Sequence, residues 1–141
     1  SLPSVLWSYP SGPEISKEAE TSIDTISYAA HIAALLGAHI IKVKPPTSKV
    51  SESSLEENYN ALINLNSLSE RVKHIKKCAF NSKRIVVFSG GNAKGDEEIL
   101  TEIKQIKDGG GNGSIIGRNS FQRPKKQALN LLNKIIEIYK N

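Results

Sequence analysis

Two lysines set two residues apart raise the first chemical question. Lys42 and Lys44 sit in His39–Lys44, a branched, apolar run closed by Pro45-Pro46 that predicts a strand. Period two puts Ile41 and Val43 on one face and Ile40, Lys42 and Lys44 on the other. Ile41 and Val43 suit packing against helices. Lys42 then points inward from a strand, a costly place for an ammonium group. Burial and a like charge on Lys44, about 6 to 7 Å away, both favour the neutral amine. A neutral amine is what carbinolamine and Schiff-base chemistry requires. The plainer alternative has both lysines at the strand end, snorkelling into solvent.

The run Val5-Leu6-Trp7-Ser8-Tyr9 has the same layout, with Val5, Trp7 and Tyr9 on one face. A phenol at the C-terminal end of that strand can give or take a proton. Trp7 and Tyr9 can equally be core aromatics. Two further strand ends are Gly-rich: Ser89-Gly90-Gly91 and Gly117-Arg118-Asn119. Backbone N–H groups freed by glycine, beside a helix N-terminus, cradle phosphate. Arg118 adds a bidentate donor. Each glycine pair alone reads as a turn; two on consecutive strands at the same end, with an arginine, say more.

Four strands and the helices between them must position these groups. The strands are Val5–Tyr9, His39–Lys44, Arg84–Phe88 and Ser114–Ile116. Helices are predicted at about Ser22–Leu36, Asp96–Ile106 and from Arg123-Pro124 onward, where Pro124 suits a first turn. Gly37 ends the first. Ser53–Cys78 reads as two helices or one broken one. In the last helix Leu129, Leu132, Ile136 and Tyr139 form the expected buried stripe. Gly109-Gly110-Gly111 lies at the opposite end of its strand and reads as a tight structural turn. His31, His39 and His74 take packing or surface roles, and Cys78 reads as a small buried hydrophobe without a base nearby. Strand–helix alternation, repeated four times with short apolar strands, argues for a parallel sheet covered by helices.

The whole is one domain by length, 141 residues, with a net charge of +5. Fifteen lysines and four arginines are spread among acids, and aromatics are sparse, which argues against a nucleic-acid surface. No apolar run suits a membrane span or a secretory signal. A single cysteine excludes an internal disulfide framework and points to a reducing, cytoplasmic setting. Cys78 and three scattered histidines have no metal-ligand spacing. Ser1–Ser8 runs directly into a strand without an initiator Met, as a processed chain or a piece of a longer one would.

Four stretches carry a resemblance: Val5-Leu6-Trp7-Ser8-Tyr9-Pro10, Gly37–Lys44 (GAHIIKVK), Phe88-Ser89-Gly90-Gly91 and Gly113–Arg123 (GSIIGRNSFQR). In that order the chain resembles the archaeal/bacterial-type class I fructose-bisphosphate aldolases. The resemblance implies that Lys42 forms the Schiff base, Tyr9 donates the proton and Trp7 lines the site. It implies that Gly90, Gly91, Gly117 and Arg118 hold a substrate phosphate, with Ser89 and Lys44 beside them. Family members often have arginine after Tyr-Pro, where this chain has Ser11. The family fold is an eight-stranded TIM barrel of ~250 residues. The expectation is therefore α/β: the last four βα units of such a barrel, residues 1–141, with a helical insertion at about 47–82 that looks like the bacterial branch.

The implied activity is reversible cleavage of fructose 1,6-bisphosphate into two triose phosphates, without cofactor or metal. The implied partners are a sugar phosphate, the missing N-terminal half of the barrel (same gene product or separate chain) and further copies in a homo-oligomer; nucleic acid and membrane are not among them. The alternatives are a related Schiff-base aldolase or transaldolase acting on another sugar phosphate, and a non-catalytic phosphate-binding half-barrel.

Overall fold

A computed structural model describes residues 2–91 and 94–140. Ser1, which opens the predicted N-terminal run, lies outside the described residues. Four parallel strands pair in sequence order: β1 (Val5–Trp7), β2 (Ile40–Val43), β3 (Ile85–Ser89) and β4 (Gly113–Ile115). The register sets Trp7 beside Lys42, Lys42 beside Val87, and Ser89 beside Ile115. β1 and β2 are shorter than their apolar runs suggested, while β3 and β4 keep the expected length but are displaced by one residue, β3 forward and β4 back. Tyr9 and Lys44 fall just past the ends of β1 and β2, while Ser89 belongs to β3 and Gly113 to β4.

Between the strands lie α1 (Ile23–Leu35), α2 (Glu56–Leu62), α3 (Leu68–Cys78) and α4 (Asp96–Asp108). After β4 come the single turn α5 (Arg118–Phe121) and α6 (Lys125–Lys140). The 53–78 segment is thus two helices. α3 packs between α1 and α4 as the crossover helix, and α2 is the additional piece. Local signals fix the ends. Gly37, at φ 86°, closes α1 with its N–H on Ala34 O and that of Ala38 on Ala33 O. Ser67 caps α3 by accepting from the Glu70 N–H. Asp96, Glu97 and Glu98 open α4, where the helix dipole favours anions. Gly109 has no room for a side chain: an added Cβ would sit 2.4 Å from Ser69 O. That fits the structural turn expected there.

The alternation along the strands does what period two requires. Ile41, Val43, Val86 and Phe88 are fully buried under the helices, with Ile23, Ile26, Val72 and Ile75 packed against them. The other face of the sheet is open, with Val5, Trp7, Ile85 and Ile115 all exposed. A second, smaller cluster joins α4 to α6 through Ile99, Ile103, Leu131 and Ile135. Here the expected stripe is corrected: Leu129 and Ile136 are exposed, and Leu131 and Ile135 are buried instead. The α6 sequence is apolar on two adjoining faces, and α4 covers only one. Arg123-Pro124 also precedes α6, which starts at Lys125. No helix among the described residues is long and apolar enough to cross a membrane.

Candidate active site

β1 and β2 deliver the aromatic and lysine side chains to one end of the sheet. Ser8 ties that end down: its N–H donates to Lys42 O at 2.9 Å and its hydroxyl to Ala29 O at 2.9 Å. Tyr9 therefore leaves the sheet at a fixed point. Lys42 is only 7% exposed although it lies on the open face, because the Trp7 ring covers it. Lys42 Nζ stands 3.9 Å from the Trp7 ring centroid and 5.5 Å from that of Tyr9. The two rings stack with centroids 6.4 Å apart. An indole face attracts an ammonium group at this distance. Among the described residues no carboxylate pairs with Lys42.

Lys44 is also near Tyr9, with Nζ 5.7 Å from the ring centroid, but it has a different partner. It donates to Glu20 Oε2 at 2.8 Å, while Lys17 donates to Glu20 Oε1 at 2.7 Å. Glu20 lies on the 3-10 turn Ala19–Thr21 and is itself buried. Hydrogen bonds from Lys17 and then Lys44 lower its carboxyl to a pKa of about 2. The like charge expected to act on Lys42 is thus already matched by a carboxylate. Sequence reading missed Glu20, since nothing in Glu14–Glu20 marks it apart from Glu18. A nearby carboxylate, Asp24, anchors the loop after β2. Burial opposes its charge, but N–H donation from Ser51 and Glu52 outweighs that and holds its carboxyl below the ordinary value.

The Gly-rich ends of β3 and β4 face this pocket across a cleft of about 940 Å³. Its walls include Tyr9, Lys42, Lys44, Ser89, Gly90, Gly91, Gly117 and Arg118. Eight of the nine expected site residues thus meet in one cleft; the ninth, Trp7, stands over Lys42 at its edge. Two details differ from expectation. The Gly90 N–H is already donated to Ile115 O, so it is not available to a ligand. The helix after Gly117 has only four residues, so little dipole stands behind that end.

Two side chains whose role the sequence did not reveal, Asn119 and Arg123, hold the two ends together. Asn119, 3% exposed, donates to Gly90 O at 3.0 Å and accepts from the Lys94 N–H at 2.8 Å. Arg123 donates to Asn119 O and Lys94 O and pairs with Asp96. Arg118 Nη2 reaches Gly91 O at 3.3 Å. Gly91, at φ 65°, adopts a left-handed conformation that glycine takes without strain. Elsewhere, Cys78 does have an imidazole beside it, contrary to expectation: His74 Nε2 is 3.5 Å from Sγ. Burial pushes the thiol up and the imidazole down, which keeps both neutral.

A buried lysine between aromatics, facing a cleft with two Gly-rich strand ends, suits carbonyl chemistry on an anionic substrate. The chain is 30% identical to the "Probable fructose-bisphosphate aldolase class 1" of Chlamydia muridarum, across 98% of this chain and 43% of that protein. It is 34% identical to the "Fructose-bisphosphate aldolase class 1" of Halobacterium salinarum, across 86% and 37%. A crystal structure of an archaeal fructose 1,6-bisphosphate aldolase superposes with a TM-score of 0.75 at 30% identity, covering 99% of this chain and 46% of that one. A second archaeal structure, whose catalytic lysine carries the carbinolamine intermediate of the substrate, also superposes at 0.75, with 28% identity. The chain spans less than half the length of these relatives. Residues 1–123 match the family described as DeoC/LacD family aldolase. By this match, and by kinship with those relatives, the chain belongs to the DeoC/LacD aldolase family.

Proposed function

We propose that this chain carries the Schiff-base half of a class I fructose-bisphosphate aldolase. The observation that supports it most is Lys42: a strand lysine 7% exposed, without a carboxylate partner among the described residues, beside Trp7 and Tyr9. The Lys42 amine attacks the ketone carbon of fructose 1,6-bisphosphate and forms a carbinolamine. Loss of water leaves an iminium. As the C4 hydroxyl passes its proton to water in the cleft, the C3–C4 bond breaks and its electron pair flows into the iminium. Glyceraldehyde 3-phosphate departs and an enamine remains. Tyr9 supplies the proton to C3, and water then hydrolyses the iminium to release dihydroxyacetone phosphate. Arg118 and the backbone of Gly91 and Gly117 hold one phosphate, which fixes the ketone beside Lys42. Lys44 adds a cation to the same cleft.

The chain works as four βα units of a larger barrel. The open face of its sheet and two edge strands with one neighbour each support this, as do relatives more than twice as long. The N-terminal half of the barrel, as part of the same product or as a separate chain, covers Val5, Trp7, Ile85 and Ile115. Exposed parallel edges are otherwise sites of unwanted pairing.

A coupled assay for triose phosphate tests both statements. Turnover is expected when the chain is supplied with the N-terminal half of a relative, and not with the chain alone. Full turnover by a 141-residue monomer would contradict the half-barrel. Phosphate binding with no turnover in the completed barrel would instead favour a non-catalytic binding role.

A further inference from the structure

Two lysines share Tyr9 as a neighbour at nearly equal distances, 5.5 Å for Lys42 and 5.7 Å for Lys44. A ketone placed against that phenol lies within reach of either. What separates them is Glu20. Its carboxylate, 24 residues earlier in the chain, accepts from Lys44 at 2.8 Å and has no ion pair with Lys42. Both of its oxygens are in use, one for Lys44 and one for Lys17. Lys17 is almost fully exposed, whereas Glu20 is buried against the sheet end. The Lys17 contact therefore saturates the carboxylate from outside, and the Lys44 contact acts towards the cleft.

We propose that Glu20 is a positioning residue that selects the nucleophile: it holds Lys44 as a fixed cation and leaves Lys42 as the one amine free to add to a carbonyl. This rests on the Schiff-base reading for its consequence, but its first step stands without it. An ammonium group held by a carboxylate must break that contact before its nitrogen can reach a carbonyl, so it neither acylates nor condenses readily. The held ammonium is also left in place to meet a substrate phosphate. Glu20 touches no reacting atom in this arrangement; it acts through Lys44.

Competitive acetylation with trace acetic anhydride near neutral pH, mapped by mass spectrometry, reads the first step on the chain as it is. In the unaltered protein Lys44 should react more slowly than the unpaired surface lysine Lys104. Glu20→Gln should raise Lys44 labelling by roughly two- to fivefold, the size of one partly exposed ion pair. Glu20→Asp should restore part of the protection, and Lys17→Ala should leave it. Equal labelling of Lys44 and Lys104 in the unaltered protein would overturn the proposal even if Glu20→Gln fails to fold. So would an unchanged Lys44 rate in a folded Glu20→Gln protein. The second step is read with dihydroxyacetone phosphate and borohydride: the adduct should move partly from Lys42 to Lys44 in Glu20→Gln. An adduct confined to Lys42 in that variant would also overturn selection by Glu20. Absence of any adduct in the unaltered protein completed with the N-terminal half would sink the Schiff-base reading while leaving the acetylation result to judge Glu20.

Discussion

The two sides of the cleft are built in opposite ways. On the β1–β2 side the proposed chemistry resides in side chains, Lys42, Trp7 and Tyr9, aimed by strand register and covered by one another. On the β3–β4 side it resides in backbone and one exposed arginine, and the loops are held by side chains that never enter the cleft, Asn119 and Arg123. A lysine on a strand is placed by the sheet itself. A loop end made of glycine has no side chains with which to hold its own shape, so neighbouring residues must do so.

Substitutions can break this contrast. The largest effect belongs to Lys42→Ala, which should abolish covalent trapping and turnover in the completed barrel while phosphate binding persists. Loss of phosphate binding as well would mean that the two sides are one unit. Tyr9→Phe keeps the ring over Lys42 and removes the hydroxyl. Turnover should fall by roughly 10² to 10⁴-fold, with trapping retained; loss of trapping would move Tyr9 into the covalent step.

On the other side, Arg118→Ala should weaken phosphate binding by roughly 1.5 to 3 kcal/mol and change stability little, since Arg118 is exposed. Asn119→Ala should differ by costing both. It strands the Lys94 N–H and Gly90 O, about 1 to 3 kcal/mol for buried groups left unsatisfied, and lets the cradle spread. Calorimetry with a triose phosphate and thermal unfolding separate the two variants. Equal stability loss in both would erase the distinction between a ligand contact and a strut.

The smallest effect is one of pH. Glu20 is lowered from 4.5 to about 2 by Lys17 and Lys44. Its ionised form therefore favours the folded state above about 4.5, and that contribution fades as pH falls towards 2. Unfolding followed across that range should be steeper in the unaltered protein than in Glu20→Gln. Parallel acid profiles would show that the ion pairs do not persist in solution.

Much of the β1–β2 side could be read from the chain because strands write their geometry at period two. Ile41 and Val43 against Lys42 is a local pattern, and the sheet could not place it otherwise. The Gly-rich ends were visible as places but not as structures: that Gly90 spends its N–H on Ile115 depends on strand register. Asn119, Arg123 and Glu20 were not legible because the partners that give them their roles, Gly90 and Lys94 for the first two and Lys44 for Glu20, lie more than twenty residues away, and polar types alone do not say which of them is buried. The face of α6 was misjudged for a related reason. Leu129, Leu131, Leu132, Ile135 and Ile136 cover two faces, and only tertiary packing against Ile99 and Ile103 selects Leu131 and Ile135.

The most direct test is to incubate the protein with dihydroxyacetone phosphate, reduce with borohydride and map the adduct by peptide mass. The expected result is a single label on Lys42. A label on Lys44, or on neither lysine in the completed barrel, would contradict the assignment of Lys42 as the nucleophile.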